Sequence, residues 1–155
     1  MDISVEVSGL TEIIREMEKL GGKEMLRMTN NALRAGAREI RDQAVINARA
    51  IDDPKTPSSI PDNIVVRAMS KRKRNALKAD AGVRVGVLGG AKQGDKGAQN
   101  PNKGGDTFHW RFVEFGTQRA SAKPFMRPAV TQSQARAIAK FFERYNQEFQ
   151  KQLNK

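Results

Sequence analysis

The sequence predicts an α+β fold: a small, mainly antiparallel sheet packed by a long N-terminal helix and an amphipathic C-terminal helix. Three observations predict it. Apolar residues alternate strictly at residues 3–8 and 83–87 and a β-branched run stands at 64–69, an Ala-rich helical pattern fills residues 23–51, and the most regular helical periodicity of the chain lies at its C-terminal end. The chain has 155 residues, about one domain's worth of core, and neither a repeat nor an interdomain linker divides it, so residues 1–155 read as one domain.

Ile3, Val5 and Val7 alternate with Asp2, Ser4 and Glu6, which predicts a half-buried strand turned by Gly9. Ile13, Ile14, Met17 and Leu20 then recur at helical spacing until Gly21-Gly22 stops them, giving a short amphipathic helix over 11–20. From Lys23 to Ile51 the set Leu26, Leu33, Ala37, Ile40, Ala44, Ala48 and Ile51 defines one face of a helix of about 43 Å. A Pro-rich turn region from Asp52 to Pro61 follows, then a strand at 64–69. Val83, Val85 and Val87 form the next strand, which feeds a Gly/Lys-rich loop over 89–106, expected to be mobile because it holds almost nothing to bury. With the chain returning at Phe108, this reads as a hairpin with an outsized tip. In the last helix Ala135, Ile138, Phe142, Tyr145, Phe149 and Leu153 form a stripe that should be buried. Pro128, or Thr131 with Gln134 as a capping box, places its start within 128–131.

Composition excludes several function classes. With no Cys and one His, thiolate zinc sites, cysteine nucleophiles and disulfide frameworks are ruled out. Gly89 to Gly94 is followed by Asp95 without the Lys-Ser/Thr of a phosphate-binding loop, and Asp52-Asp53 reads as a turn, too few oxygens for a hard metal. His109 has no paired nucleophile. We therefore expect neither enzyme, metal nor cofactor. No apolar run approaches the roughly 20 residues of a membrane span, and residues 1–20 lack a signal peptide's apolar core, which predicts a soluble chain with no membrane partner. The 28 Lys and Arg against 17 Asp and Glu leave a charge of +11 and favour anionic partners. Lys71, Arg72, Lys73 and Arg74 are the densest basic run and candidate contacts to phosphate or acidic partners. A second basic stripe, Arg27, Arg34, Arg38 and Arg41, lies beside the apolar face of the long helix.

All nine aromatic residues lie between Phe108 and Phe149. The segment His109-Trp110-Arg111-Phe112-Val113-Glu114-Phe115-Gly116-Thr117, then Ala122-Lys123-Pro124-Phe125-Met126-Arg127-Pro128-Ala129, has a physical reading of its own. Gly116 suits a turn with positive φ, Thr117 can bond to local backbone, and Pro124 and Pro128 stiffen the path around Phe125. Glu114, flanked by Val113 and Phe115, is expected to meet Arg127, Arg119 or backbone N–H groups. This pair of motifs resembles the head-tail joining, or tail completion, proteins of long-tailed bacteriophages (siphophages), the lambda minor tail protein Z type among them. The resemblance is sharp over residues 109–130. His109-Trp110, where that family often has Tyr-Ala, and the enlarged loops at 71–80 and 89–106 depart from its pattern.

The resemblance implies a structural virion protein of the tail and neck, assembled in the host cytoplasm, which completes the head-proximal end of the tail and joins it to the head as a ring of six copies. Tail terminator, tail tube and head-neck stopper or connector proteins would be its partners. Trp110, Glu114, Phe115, Gly116, Thr117, Pro124, Phe125, Arg127 and Pro128 become candidates for the subunit or partner interface, with Phe125 the favoured anchor. The competing reading is a nonspecific DNA-binding module built on residues 67–84, which carry seven basic groups against one Asp.

Overall fold

The computed structural model describes residues 22–89 and 103–154. The strand expected at 3–8, the helix at 11–20 and most of the Gly/Lys-rich loop lie outside the described residues.

Two 28-residue helices frame the molecule: α1 spans Gly22–Arg49 and α4 spans Met126–Leu153. Between them come a 3-10 turn at Pro61–Asn63, β1 at Ile64–Ala68, the short α2 at Lys71–Ala76, β2 at Val83–Val87 and the short α3 at Trp110–Phe115. The two strands pair antiparallel, Ile64 opposite Val87 and Ala68 opposite Val83. The α+β class therefore holds, with a two-stranded sheet among the described residues.

Alternation along the strands decides which side of the sheet is dry. Ile64, Val85 and Val87 turn inward and join Ala44, Ala48, Ile60, Phe125 and Ala129 in the core, while Arg67 and Arg84, directly opposite each other, stay exposed. Asn63 fastens the end of this sheet to the returning chain. Its buried amide donates to the Gly105 carbonyl and the Thr107 hydroxyl, each at 2.9 Å, and its carbonyl accepts from the Gly104 N–H at 2.9 Å. The Thr107 hydroxyl donates in turn to the Leu88 carbonyl at 2.6 Å. Residues 104–107 are thus tied down at the base of the loop. A side chain at Gly104 would run into the Ser59 carbonyl, so this position requires glycine.

The long helices meet along small residues. Met28, Ala32 and Gly36 of α1 are buried, as are Ala129, Ser133 and Ala137 of α4. A Cβ at Gly36 would lie 2.7 Å from the Ala137 carbonyl oxygen, so the backbones approach as closely as glycine permits. A polar ladder runs beside this seam: Asn47 donates to Gln132 at 2.9 Å and to the Phe125 carbonyl at 3.1 Å, and Arg136 donates to Gln43 at 2.7 Å.

Four expectations need correction. The chain returning at Phe108 does not complete a hairpin with β2; it forms α3, and β2 pairs with β1 instead. The basic run 71–74 sits in α2, not a loop, because the Ser70 hydroxyl accepts from the Lys73 N–H and caps it. Helix α4 begins at Met126, ahead of 128–131, because its first turn is capped from elsewhere in the chain and Thr131 with Gln134 is not needed. Finally, the apolar stripe of α4 is not its buried face, and that of α1 is fully buried only at Ala44 and Ala48. Ile138 and Phe142 remain 50% and 57% exposed and Leu26 39%, because the backbones close on the Ala/Gly/Ser line and push larger side chains to one flank.

The seam gives the first testable outcome. Gly→Ala within a helix ordinarily stabilises by about 0.5–1 kcal/mol. Gly36→Ala should instead lower stability by about 1–3 kcal/mol, as overpacked sites do, and chemical denaturation will show the sign.

Candidate functional site

The site is a corner where α3 meets the start of α4. Helix α3 ends at Gly116, whose φ of 77° admits glycine and whose N–H donates to the Phe112 carbonyl at 2.8 Å. A Cβ there would lie 2.8 Å from the Ala122 nitrogen, so the chain folds back tightly. The Thr117 hydroxyl accepts from the N–H groups of Arg119 and Ala120 at 3.2 and 3.0 Å, and the Lys123 N–H donates to the Val113 carbonyl at 2.8 Å. Gly116 and Thr117 therefore act as the local chemistry of the motif predicts.

Inside the corner, Glu114 is 1% exposed. Its carboxylate accepts from three successive backbone N–H groups, Phe125 at 2.7 Å, Met126 at 2.9 Å and Arg127 at 3.0 Å. The Arg127 side chain donates through Nε to the same carboxylate at 3.1 Å and through Nη2 to the Glu114 carbonyl at 2.9 Å. Of the partners expected for Glu114, both Arg127 and backbone N–H groups are present together. Burial pushes its acidity toward a higher pKa, but the three backbone donors and the Arg127 guanidinium outweigh it and hold the carboxyl below the ordinary range. A carboxylate at a helix N-terminus also meets the positive end of the helix dipole.

Phe125 sits beneath this clamp, wholly buried against Ala44, Ala48, Ile60, Ile64 and Ala129. It is not presented outward, so the expectation of an interface anchor is corrected: the flanking prolines deliver the ring into its own core. Pro124 is exposed and Pro128 half-buried. Trp110 packs inward against the core with Val113 and Met126.

The outward face of α3 carries what those positions do not. Phe112 and Phe115 are 55% and 62% exposed, and Phe108, two residues ahead of α3, 45%. The Arg127 guanidinium lies 5.2 Å from the Phe115 ring centroid, so the buried clamp and the exposed aromatic face share one side chain. Phe112, His109, Val113 and Lys123 line a shallow cleft of about 260 Å³. Of these exposed aromatics only Phe115 is among the residues the sequence motif nominates. The signal for the others is local: in a six-residue helix, Trp110 with Val113 and Phe112 with Phe115 occupy opposite sides at i, i+3.

The basic candidates lie apart from this corner. Lys71, Arg72 and Lys73 are exposed on α2, while Arg74 donates to the Met69 carbonyl at 3.0 Å. The exposed Arg67–Arg84 pair on the outer face of the sheet belongs to the same end of the hairpin. Among the described residues no cluster of three or more His, Asp or Glu could hold a metal ion.

Residues 11–116 match the HK97-gp10-like family of bacteriophage tail components. The chain belongs to this family. No curated protein and no solved structure matches it. The matched region ends at Gly116, so it contains Glu114 and the aromatic face of α3, while the residues that Glu114 caps lie beyond it. As a member of a tail-component family, the protein is a structural part of a phage particle.

Two outcomes follow for the corner. Phe125→Ala should cost the isolated chain about 3–5 kcal/mol, the usual loss for a buried Phe, and denaturant titration measures it. Glu114→Gln should cost about 1.5–3 kcal/mol at neutral pH, as lost hydrogen bonds to a charged group do. Because the native carboxyl titrates below its ordinary value, its stabilisation is complete above that ordinary value and is lost as pH falls through the native one. The stability gap between wild type and variant should therefore narrow below about pH 4, as melting curves across roughly pH 3–7 will record.

Proposed function

We propose that this protein completes the head-proximal end of a phage tail and joins tail to head at the neck, as a ring of six copies. The observation that carries the reading is the aromatic face of α3, Phe112 and Phe115, held on a corner that Glu114 and Arg127 make rigid. Large apolar side chains gathered on a surface are expensive to leave in water and mark contact sites. Rigid backing lowers the entropy lost on association. In this proposal Phe115, Phe112, Gly116, Thr117 and Pro124 meet a neighbouring subunit or a tail-tube, terminator or stopper protein, with Trp110, Glu114, Phe125, Arg127 and Pro128 holding the surface from behind. The Gly/Lys-rich arm expected over 89–106, whose Gly104–Asp106 end is already held at its base by Asn63, would reach toward a neighbour in the ring. Catalysis has no part in this role.

A second reading rests on Lys71, Arg72, Lys73, Arg67 and Arg84, whose exposure at one end of the hairpin suits acidic partners or a DNA backbone. The two readings separate by salt. DNA affinity falls steeply with ionic strength, whereas contacts through the aromatic face depend mainly on apolar burial.

The direct test is imaging of particles assembled with and without the protein: separate capsids and tails in its absence support the joining role, and normal joining ends it. At the residue level, Phe112→Ser should change the stability of the free chain by no more than about 0.5 kcal/mol, as exposed positions do, yet reduce incorporation into tails. Unchanged incorporation would remove the aromatic face from the proposal.

A further inference from the structure

The outer face of the hairpin holds an arrangement that strand pairing alone does not favour. In the register of β1 and β2, Arg67 stands directly opposite Arg84, and both are exposed on the side of the sheet away from the core. Residues so placed have Cα atoms about 5 Å apart, and like charges there repel. Neither arginine has an ion pair among the described residues. On the same face Val65 stands opposite Gly86, where a Cβ would meet nothing within 4 Å, and a shallow trough of about 180 Å³ opens next to the two arginines. Helix α2 continues the charge. Lys71, Arg72 and Lys73 are exposed on it, while Arg74 is held by the Met69 carbonyl, and Asp80 is the one acid in residues 67–84.

We propose that Arg67 and Arg84 form a clamp for one phosphate of duplex DNA, with Lys71, Arg72 and Lys73 meeting neighbouring phosphates of the same backbone. The clamp narrows the second reading above, on which it rests, from anionic partners in general to this one. An anion between the two guanidiniums turns a repulsive cross-strand pair into charge-assisted contacts, and the planar guanidinium suits phosphate oxygens two at a time. Gly86 leaves room for the sugar-phosphate chain to come close to the sheet. The positive groups are spread over two strands and a helix, which fits a duplex carrying one charge per about 1.7 Å of axis better than it fits a lone carboxylate. All nine aromatic residues lie between Phe108 and Phe149, so the hairpin has neither the aromatic anchors of a protein interface nor a platform on which unpaired bases could stack. Duplex DNA remains. With only six residues, α2 is too short to serve as a reading helix in the major groove, so the contacts stay with the backbone.

The test is fluorescence anisotropy of the full chain with labelled duplexes of two unrelated sequences over a range of salt, with unlabelled duplex, single-stranded DNA and polyglutamate as competitors. Arg67→Gln with Arg84→Gln should weaken binding at least about tenfold on both sequences and make the salt dependence shallower by about one released counterion. Its melting point should equal or exceed that of the wild type, since a repulsive pair is removed. Arg34→Gln with Arg38→Gln takes the same charge from exposed positions on α1 and should change affinity less than about threefold. Equal losses in the two double variants would overturn the clamp, because net charge alone would then explain them. So would a preference for one duplex sequence or for single strands, or displacement by polyglutamate as effective as by duplex, which would assign the face to an acidic protein. If Lys71→Gln with Lys73→Gln weakens binding while the arginine variant does not, the second reading stands without the clamp. A wild type that binds no DNA at low salt ends the DNA reading and the clamp together. None of these results depends on whether the protein joins tails to heads.

Discussion

The placement of the C-terminal helix depends on one buried carboxylate. A helix leaves its first N–H groups without partners inside it, and at the start of α4 these belong to Phe125, Met126, Arg127 and Pro128. Glu114 accepts from the first three, and proline has no N–H to satisfy, so the accounting closes with one side chain. An ionised carboxylate removed from water would be costly alone, but here it has three backbone donors, a guanidinium and the positive end of a helix dipole. Phe125 then has one place to go. Its ring fills the space between the C-terminal half of α1 and the inner face of the sheet, and both ends of the fold meet at that point.

Once that end is pinned, the rest of α4 follows α1 along a line of small residues. Gly36 against the Ala137 carbonyl sets how closely the helices approach, and the polar ladder of Gln43, Asn47, Gln132 and Arg136 occupies one flank. The other flank receives Leu33, Ile40, Ile138 and Phe142, which the seam is too narrow to hold. Close packing thus leaves an open apolar groove on that flank. A wider seam of Leu and Ile would have buried those side chains and left smooth surface. The aromatic face of α3 arises in a related way, since six residues of helix cannot turn Trp110, Val113 and Glu114 inward without turning Phe112 and Phe115 out.

Much of the candidate site is legible in the amino-acid order. The positive φ at Gly116, the backbone bonds of Thr117 and the pairing of Glu114 with Arg127 all follow from local chemistry and from the cost of burying a lone charge. The position of Phe125 is not legible, because stiff flanking prolines hold a ring equally well whether they aim it outward or inward. Nor is Arg67 opposite Arg84, since hairpin register sets that pairing and residues of one strand carry no information about it.

By itself the sequence determined the element types that alternation or periodicity encodes: the strands at 64–68 and 83–87, the two long helices, and the α+β class. These depend on neighbours two, three or four residues away, which the chain order contains. Tertiary structure alone decided which face of α4 and of the N-terminal half of α1 is buried, and where α4 begins. In both amphipathic helices the apolar stripe was real, yet van der Waals contact rewards the closest approach of two backbones, and that approach runs through Ala32, Gly36, Ser133 and Ala137. The start of α4 was likewise set eleven residues upstream of Phe125, by a carboxylate whose reach to those N–H groups exists only after the chain has turned at Gly116.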